Sequence, residues 1–264
     1  MASKPKTLRA IRPNAGIAFE YQKKLNSLID EMARSYAWHI RAQYRAKPPE
    51  MAQDASPAKA LEAVLKWLGR YWEKQINAAA PKLAAWFAKK AGNRSDEALR
   101  KILRDGGISV KFQMTPAMTD NIDAIVAENV ALIKSIPQEF HTQVEGIVMR
   151  SVTAGRDLHS LTTELQDRLG VTRRWAEFIS SDQNSKATAF LRRVRETEIG
   201  ITEAIWIHSH AGKTPRKTHL ANNGKPFNLA EGWHDPDPKV NKSILPGELI
   251  NCRCSWRPLI KGFS

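Results

Sequence analysis

The sequence predicts a mainly α protein that ends in a small α+β C-terminal module: long amphipathic helices followed by a turn-rich unit of short strands. Three observations carry that expectation. Apolar residues recur every three to four positions as far as Glu198. Gly200 then breaks the pattern, and loop formers crowd the remainder: Pro215, Asn222-Asn223-Gly224, Pro226, Asp235-Pro236-Asp237-Pro238 and Pro246-Gly247. Between those turns lie two apolar stretches of strand length, Ile201–Ile207 and Cys252–Ile260.

Taken in order, the first helix is expected from about Ala15 to Arg45, with Tyr21, Leu25, Leu28, Ile29, Met32, Tyr36 and Ile40 on one face. Lys47-Pro48-Pro49 ends it, because proline supplies no amide and pushes its predecessor out of helical space. Ser56-Pro57 restarts a helix in the capping and first-turn positions, and Pro81 is expected to interrupt it. Ser95, followed by Asp96-Glu97, opens a short helix that Gly106-Gly107 closes. Ile108–Met114 alternates as an edge strand would. Thr115-Pro116 and Pro137 each begin a helix, Gly155 ends the second, and Gly170 stops a further one. A last helix runs from about Thr172 to Glu198. Two regions result: 1–171, a helical N-terminal region, and 172–264, the C-terminal module with its leading helix. The module is expected to lean on that helix through Trp175, Phe178 and Leu191.

The 264 residues carry 41 Lys and Arg against 27 Asp and Glu, a formal net charge of +14. The excess favours the two ends: residues 1–50 hold 10 basic against 4 acidic side chains, and residues 182–264 hold 13 against 8. Such a surface binds phosphate backbones through counterion release, without reading bases. The basic candidates for DNA contact are Lys4, Lys6, Arg9, Arg12, Lys23, Lys24, Arg192, Arg193 and Arg195. No run approaches the roughly 18 apolar residues of a membrane span, and the basic N-terminus lacks the apolar core of a secretory signal. With only Cys252 and Cys254 present, a disulfide scaffold is excluded, and a reducing cytoplasm is the expected setting.

Both cysteines and four of the seven histidines, His208, His210, His219 and His234, fall after Gly200. Thiolate with imidazole suits zinc, and a metal site here would draw on His219, Cys252 and Cys254, completed by His208, His210 or His234. Cys252-Arg253-Cys254 is nonetheless Cys-x-Cys rather than the usual Cys-x2–4-Cys. On a strand both sulfurs would face one way as small buried hydrophobes, so neither metal nor cofactor is assigned. His208-Ser209-His210 fits a metal pair, a base or a polar strand end. Arg195-Glu196-Thr197-Glu198 fits an acid–base group or a solvated helix face with an Arg192–Glu196 pair. The chain lacks the phosphate-cradling Gly-x4-Gly-Lys-Ser/Thr, Gly-x-Gly-x-x-Gly, Gly-x-Ser-x-Gly and His-Glu-x-x-His patterns, which argues against the commonest NTPases, dinucleotide enzymes, serine hydrolases and zinc proteases.

A longer series is more specific. Arg174-Trp175-Ala176-Glu177-Phe178-Ile179 with Asp182-Gln183 is followed by Arg195–Ile201 and Trp206. Then come Arg216-Lys217-Thr218-His219, Gly224-Lys225-Pro226-Phe227, Pro246-Gly247-Glu248 and Asn251-Cys252-Arg253-Cys254. In this order the elements resemble the phage head morphogenesis family, typified by the phage Mu F protein and the SPP1-type minor head proteins, over about residues 173–259. The family pattern also places an Asp a few residues before the Arg-x-x-His; here His208–Thr214 holds no acidic residue.

The resemblance implies a non-enzymatic minor virion protein, present in few copies in the head interior or at the portal vertex and assembled in the host cytoplasm. Its implied partners are portal, capsid or scaffold proteins and double-stranded phage DNA. Its implied work is head morphogenesis and genome packaging or delivery. Within it Asn251 would brace a turn, Arg216 would pair with Glu248, and His219 would be hydrogen-bonded inside. The rivals are a small metal-independent nuclease or toxin-like enzyme using His219 and Arg216, and a nucleoid-type DNA-binding protein.

Overall fold

A computed structural model describes residues 6–46, 55–155, 158–211 and 214–260. Four long helices precede the sheet region: α1 (Ala15–Ala46), α2 (Ala55–Asp105), α3 (Pro116–Thr153) and α4 (Leu158–Glu198). The architecture is mainly α with a small C-terminal region of short antiparallel strands, as the periodicity predicts. No helix among the described residues is long and apolar enough to cross a membrane. Lys4 and the Lys47-Pro48-Pro49 stop lie outside the described residues.

Several expected breaks do not occur. α2 runs through Pro81 and Ser95, α3 through Pro137, and α4 through Gly170. A proline costs its own amide bond and a clash with the preceding turn, and glycine about 1 kcal/mol. Burial outweighs the cost at the prolines: Ala80, Ala84 and Phe87 are buried around Pro81, and Ile136 and Phe140 flank Pro137. Ser95 is itself buried. Its neighbour Asp96 does not serve a first turn but takes a bidentate bond from Arg195 at 2.9 and 3.0 Å.

The chain forms two compact units, each gathered from separated segments. One consists of Phe19–Ala85 and Ala127–Ser180, which contribute stretches of all four helices. Its core is the predicted face of α1, except half-buried Leu28, with Leu61, Leu65 and Leu68 of α2, Phe140 and Val144 of α3, and Leu161 of α4. Three tyrosines of α1 also reach polar partners on α3. Tyr21 donates to Asn129 (2.9 Å), Tyr36 meets His141 Nδ1 (3.0 Å), and Tyr44 donates to Ser151 (3.0 Å). Each phenol thereby brings its oxygen into the interior with a partner, as burial requires. Trp175 and Phe178 stack within this unit, with Trp175 39% exposed. Of the residues expected to dock the terminal module, Trp175 and Phe178 thus lie in this unit and Leu191 in the other.

The other unit holds the described residues up to Ala18, Trp86–Val126 and the chain from Ser181. Its four-stranded antiparallel sheet has the order β1 (Lys6–Thr7), β6 (Ser255–Ile260), β2 (Glu203–Ile207), β3 (Pro226–Asn228). β4 (Trp233–Asp235) and β5 (Lys242–Ile244) form a separate pair. A one-turn helix, α5 (Lys217–Ala221), lies between β2 and β3 in sequence. At the centre of the sheet Trp206 opposes Trp256. Both are buried in a core with Leu8, Leu103, Phe227 and Leu245. β1 is too short to show periodicity. Ile108–Met114 is no strand: Ile108, Val110 and Phe112 alternate onto this core, but the segment pairs with no strand among the described residues.

The α4 side of this core is charged. Arg192 is 1% exposed. Its Nε donates to Glu196 Oε1 (2.6 Å), and its other nitrogens donate to Ile11 O, Ser255 Oγ and Trp256 O (3.2, 3.3 and 3.1 Å). The guanidinium also lies 4.2 Å from the centre of the Trp256 ring, and Trp256 Nε1 donates to Glu196 Oε2 at 2.6 Å. Burial lowers the guanidinium's pKa and raises that of Glu196, each opposed by the opposite charge. The expected Arg192–Glu196 pair therefore forms, but in the interior: the face expected to be solvated over Arg195–Glu198 has Arg195 and Glu196 buried and Glu198 exposed.

Two predictions follow from this packing. Arg192→Met strands the Glu196 carboxylate in the interior and is expected to cost about 3–5 kcal/mol, read as a fall of roughly 10 °C in thermal melting. Gly232 has φ +79°, and a Cβ there would stand 2.8 Å from Ile244 O; Gly232→Ala is expected to cost more than about 1 kcal/mol in the same assay.

Candidate functional site

His219 sits in the single turn of α5, which begins after Arg216 in extended conformation. Asp235 ends β4. Cys252 and Cys254 precede β6, after a turn that passes through Asn251 at φ 59°. These segments converge on one imidazole. His219 Nε2 lies 3.1 Å from Asp235 Oδ2, and Nδ1 faces Cys252 Sγ at 3.5 Å and Cys254 Sγ at 3.7 Å. The nitrogen and both sulfurs all lie within 4.8 Å of one another. Trp206 meets the His219 ring edge-on at 5.1 Å, and Trp233 at 6.1 Å.

The cluster is sealed: His219, Asp235, Cys252 and Cys254 are 2, 0, 4 and 6% exposed. Asp235 is held by its other oxygen, which accepts the Asp237 amide at 3.0 Å. The Gly247 amide donates to Cys252 Sγ at 3.3 Å. Among the thiols, Cys252 is drawn towards the thiolate, first by a hydrogen bond from Cys254 and then by His219. Cys254 is pushed up by that shared bond and by burial. Chemically the arrangement is a soft three-atom face of two sulfurs and one nitrogen, its imidazole oriented by a carboxylate from behind.

The remaining motif residues shape turns. Gly224, at φ 80°, donates its amide to Trp206 O at 2.8 Å, and Gly247, at φ 93°, lies beside buried Pro246. Glu248 accepts the Leu245 amide at 2.9 Å and pairs with Lys242 at 3.2 Å. Arg216 donates to Ile250 O at 2.9 Å, so the expected Arg216–Glu248 pair is corrected: each has a different partner. Asn251, at φ 59°, donates its backbone amide to Asp182 Oδ1 at 3.1 Å, so the side chain that braces this turn is that of Asp182. Arg253 is exposed between the two buried cysteines.

Of the other histidines, His210 and His234 are exposed and His208 is buried. His208 Nδ1 accepts the His210 amide at 3.0 Å, and burial first, then His210, lowers its pKa. Asp235 lies outside the motif series, inside a run that reads as turn chemistry. The carboxylate at His219 comes from β4.

The basic candidates divide. Arg9, Arg12, Lys23 and Lys24 are exposed, with Arg9 bound to Asp105. Lys6 pairs through its backbone with Ile260, and Arg193 is half-buried. Arg192 and Arg195 are corrected as DNA contacts. Arg192 is spent on the sheet, and Arg195, also buried, on Asp96, Gln113 O and Glu198.

Residues 142–257 match the family model described as phage Mu protein F like protein. An uncharacterized protein of Haemophilus influenzae is 26% identical over 245 residues, which cover 91% of this chain and 52% of the relative. The chain thus spans about half the length of that curated relative, and no solved structure matches it. The matched segment contains the Arg192 centre, the His219 cluster and all but the last residues of β6. The segment that carries the ordered motifs is thus similar to the phage Mu protein F like family, which supports the resemblance to phage head morphogenesis proteins.

Proposed function

We propose that the protein is a minor head protein that acts in capsid morphogenesis and in genome packaging or delivery. In this role it sits in the head interior or at the portal vertex, in contact with portal, capsid or scaffold proteins. The observation that carries the proposal is the family match of residues 142–257. What its motif residues do in the fold agrees with a structural role. Arg216, Glu248 and Asn251 are used on turns, and His219 is 2% exposed behind two indoles. A phosphodiester has no approach to such an imidazole, which disfavours the nuclease alternative, since a base must come within hydrogen-bond reach of the proton it takes.

DNA contact in this proposal is electrostatic and sequence-independent. It falls to the exposed side chains of Arg9, Arg12, Lys23 and Lys24 and to half-buried Arg193. Phosphate contacts of this kind position a protein without reading sequence.

Mass spectrometry of purified particles from the parent phage or induced prophage is expected to find the protein at low copy number. Its absence from both virions and proheads would overturn the role. Purified protein should leave DNA and RNA intact; cleavage that disappears in His219→Ala would establish the nuclease instead. DNA affinity should fall about 10²–10³-fold between 50 and 200 mM salt if about five phosphates are neutralised. The double change Arg12→Gln, Lys23→Gln should shallow the log–log salt slope by about two, and an unchanged slope would remove those residues from the interface.

A further inference from the structure

The His219 cluster is built more tightly than packing of two thiols requires. Both sulfurs face the same ring nitrogen, the other nitrogen is engaged by a carboxylate, and a backbone amide points at one sulfur. A tetrahedral zinc ion with Zn–S about 2.3 Å and Zn–N about 2.0–2.1 Å places its sulfur and nitrogen ligands roughly 3.6 Å apart. The two sulfur–nitrogen distances here are 3.5 and 3.7 Å.

We propose that His219 Nδ1, Cys252 Sγ and Cys254 Sγ bind one Zn²⁺ ion, with Asp235 as the residue that positions the histidine. Two thiolates and an imidazole are the donor set zinc and its soft neighbours prefer over hard oxygen-seeking cations. Asp235 does what the partner of a metal-bound histidine does: it orients the ring and fixes the tautomer that leaves Nδ1 free to coordinate. The Gly247 amide offers Cys252 Sγ the hydrogen bond that a bound thiolate accepts. Binding converts both thiols to thiolates and releases their protons to solvent, so affinity rises with pH. Three protein ligands leave a fourth position, which water occupies in sites of this count.

The ion would tie α5 to the turn before β6, with β4 held behind the histidine. These are short segments of a turn-rich unit, where a metal supplies cohesion that a small core lacks. The proposal is independent of any role in phage heads, and the protein's presence in or absence from virions does not bear on it.

The test is metal analysis of the full-length protein purified without chelator. One zinc per chain is expected, with loss of the metal in Cys252→Ser and in Cys254→Ser. Cobalt titrated into metal-stripped wild-type protein should give thiolate-to-metal charge-transfer absorption, and this readout does not depend on whether the serine variants fold. Asp235→Asn should weaken zinc binding 10–100-fold in chelator competition. Chelation should lower the melting temperature and open both cysteines to alkylation. Substoichiometric zinc with no thiolate band from cobalt would overturn the site, as would full zinc occupancy in folded Cys254→Ser.

Discussion

Three distant parts of one unit meet at a single guanidinium. The N-terminal arm offers Ile11 O, β6 offers Ser255 and the Trp256 carbonyl, and α4 offers the Arg192–Glu196 pair itself. A charge at that depth is tolerated only when paired and hydrogen-bonded throughout. Arg192 meets the condition with four donated bonds and the face of Trp256. Glu196 meets it with Arg192 and the Trp256 indole N–H. The constraint is directional, as an apolar contact is not, and it fixes how β6 lies against α4. β6 lies between β1 and β2 in the sheet, so this position is passed to the rest of the unit. Arg195, one helical turn from Arg192, repeats the device towards α2 through Asp96.

This arrangement explains why the motif series is dense in turn formers. The sheet strands are two to six residues long and bury little area individually, so the joints between them must be stiff. Positive φ at Gly224, Gly247 and Asn251 sets the corners. Side chains of Glu248, Arg216 and Asp182 then pin backbone groups that the short strands leave unpaired. A motif spaced over eighty residues thus acts locally, one corner at a time.

The helical half was legible because burial follows the 3.6-residue period directly, as from Tyr21 to Tyr36. Its interruptions were not. Pro81 and Pro137 carry real local costs, but the apolar residues beside them recover more by staying in register. Arg192–Glu196 has the same spacing in a solvated face and in a core, so the pattern alone does not say which. In the site, the alternation of Cys252 and Cys254 was readable, and so was their neighbourhood with His219. Asp235 was hidden in a run whose prolines and acids describe a turn equally well. The strand β1 left no trace, since two residues have no period.

That inconspicuous β1 alters the timetable of folding. Its partner is the last strand, and Ser255 reaches Ile11 across 244 residues of chain. Loops of this span carry a high closure entropy and slow the search for native contacts. During synthesis the early strand leaves the ribosome long before its partner exists, while the helices between them are free to form. The sheet is therefore completed last, as a clasp joining the two ends of the described chain.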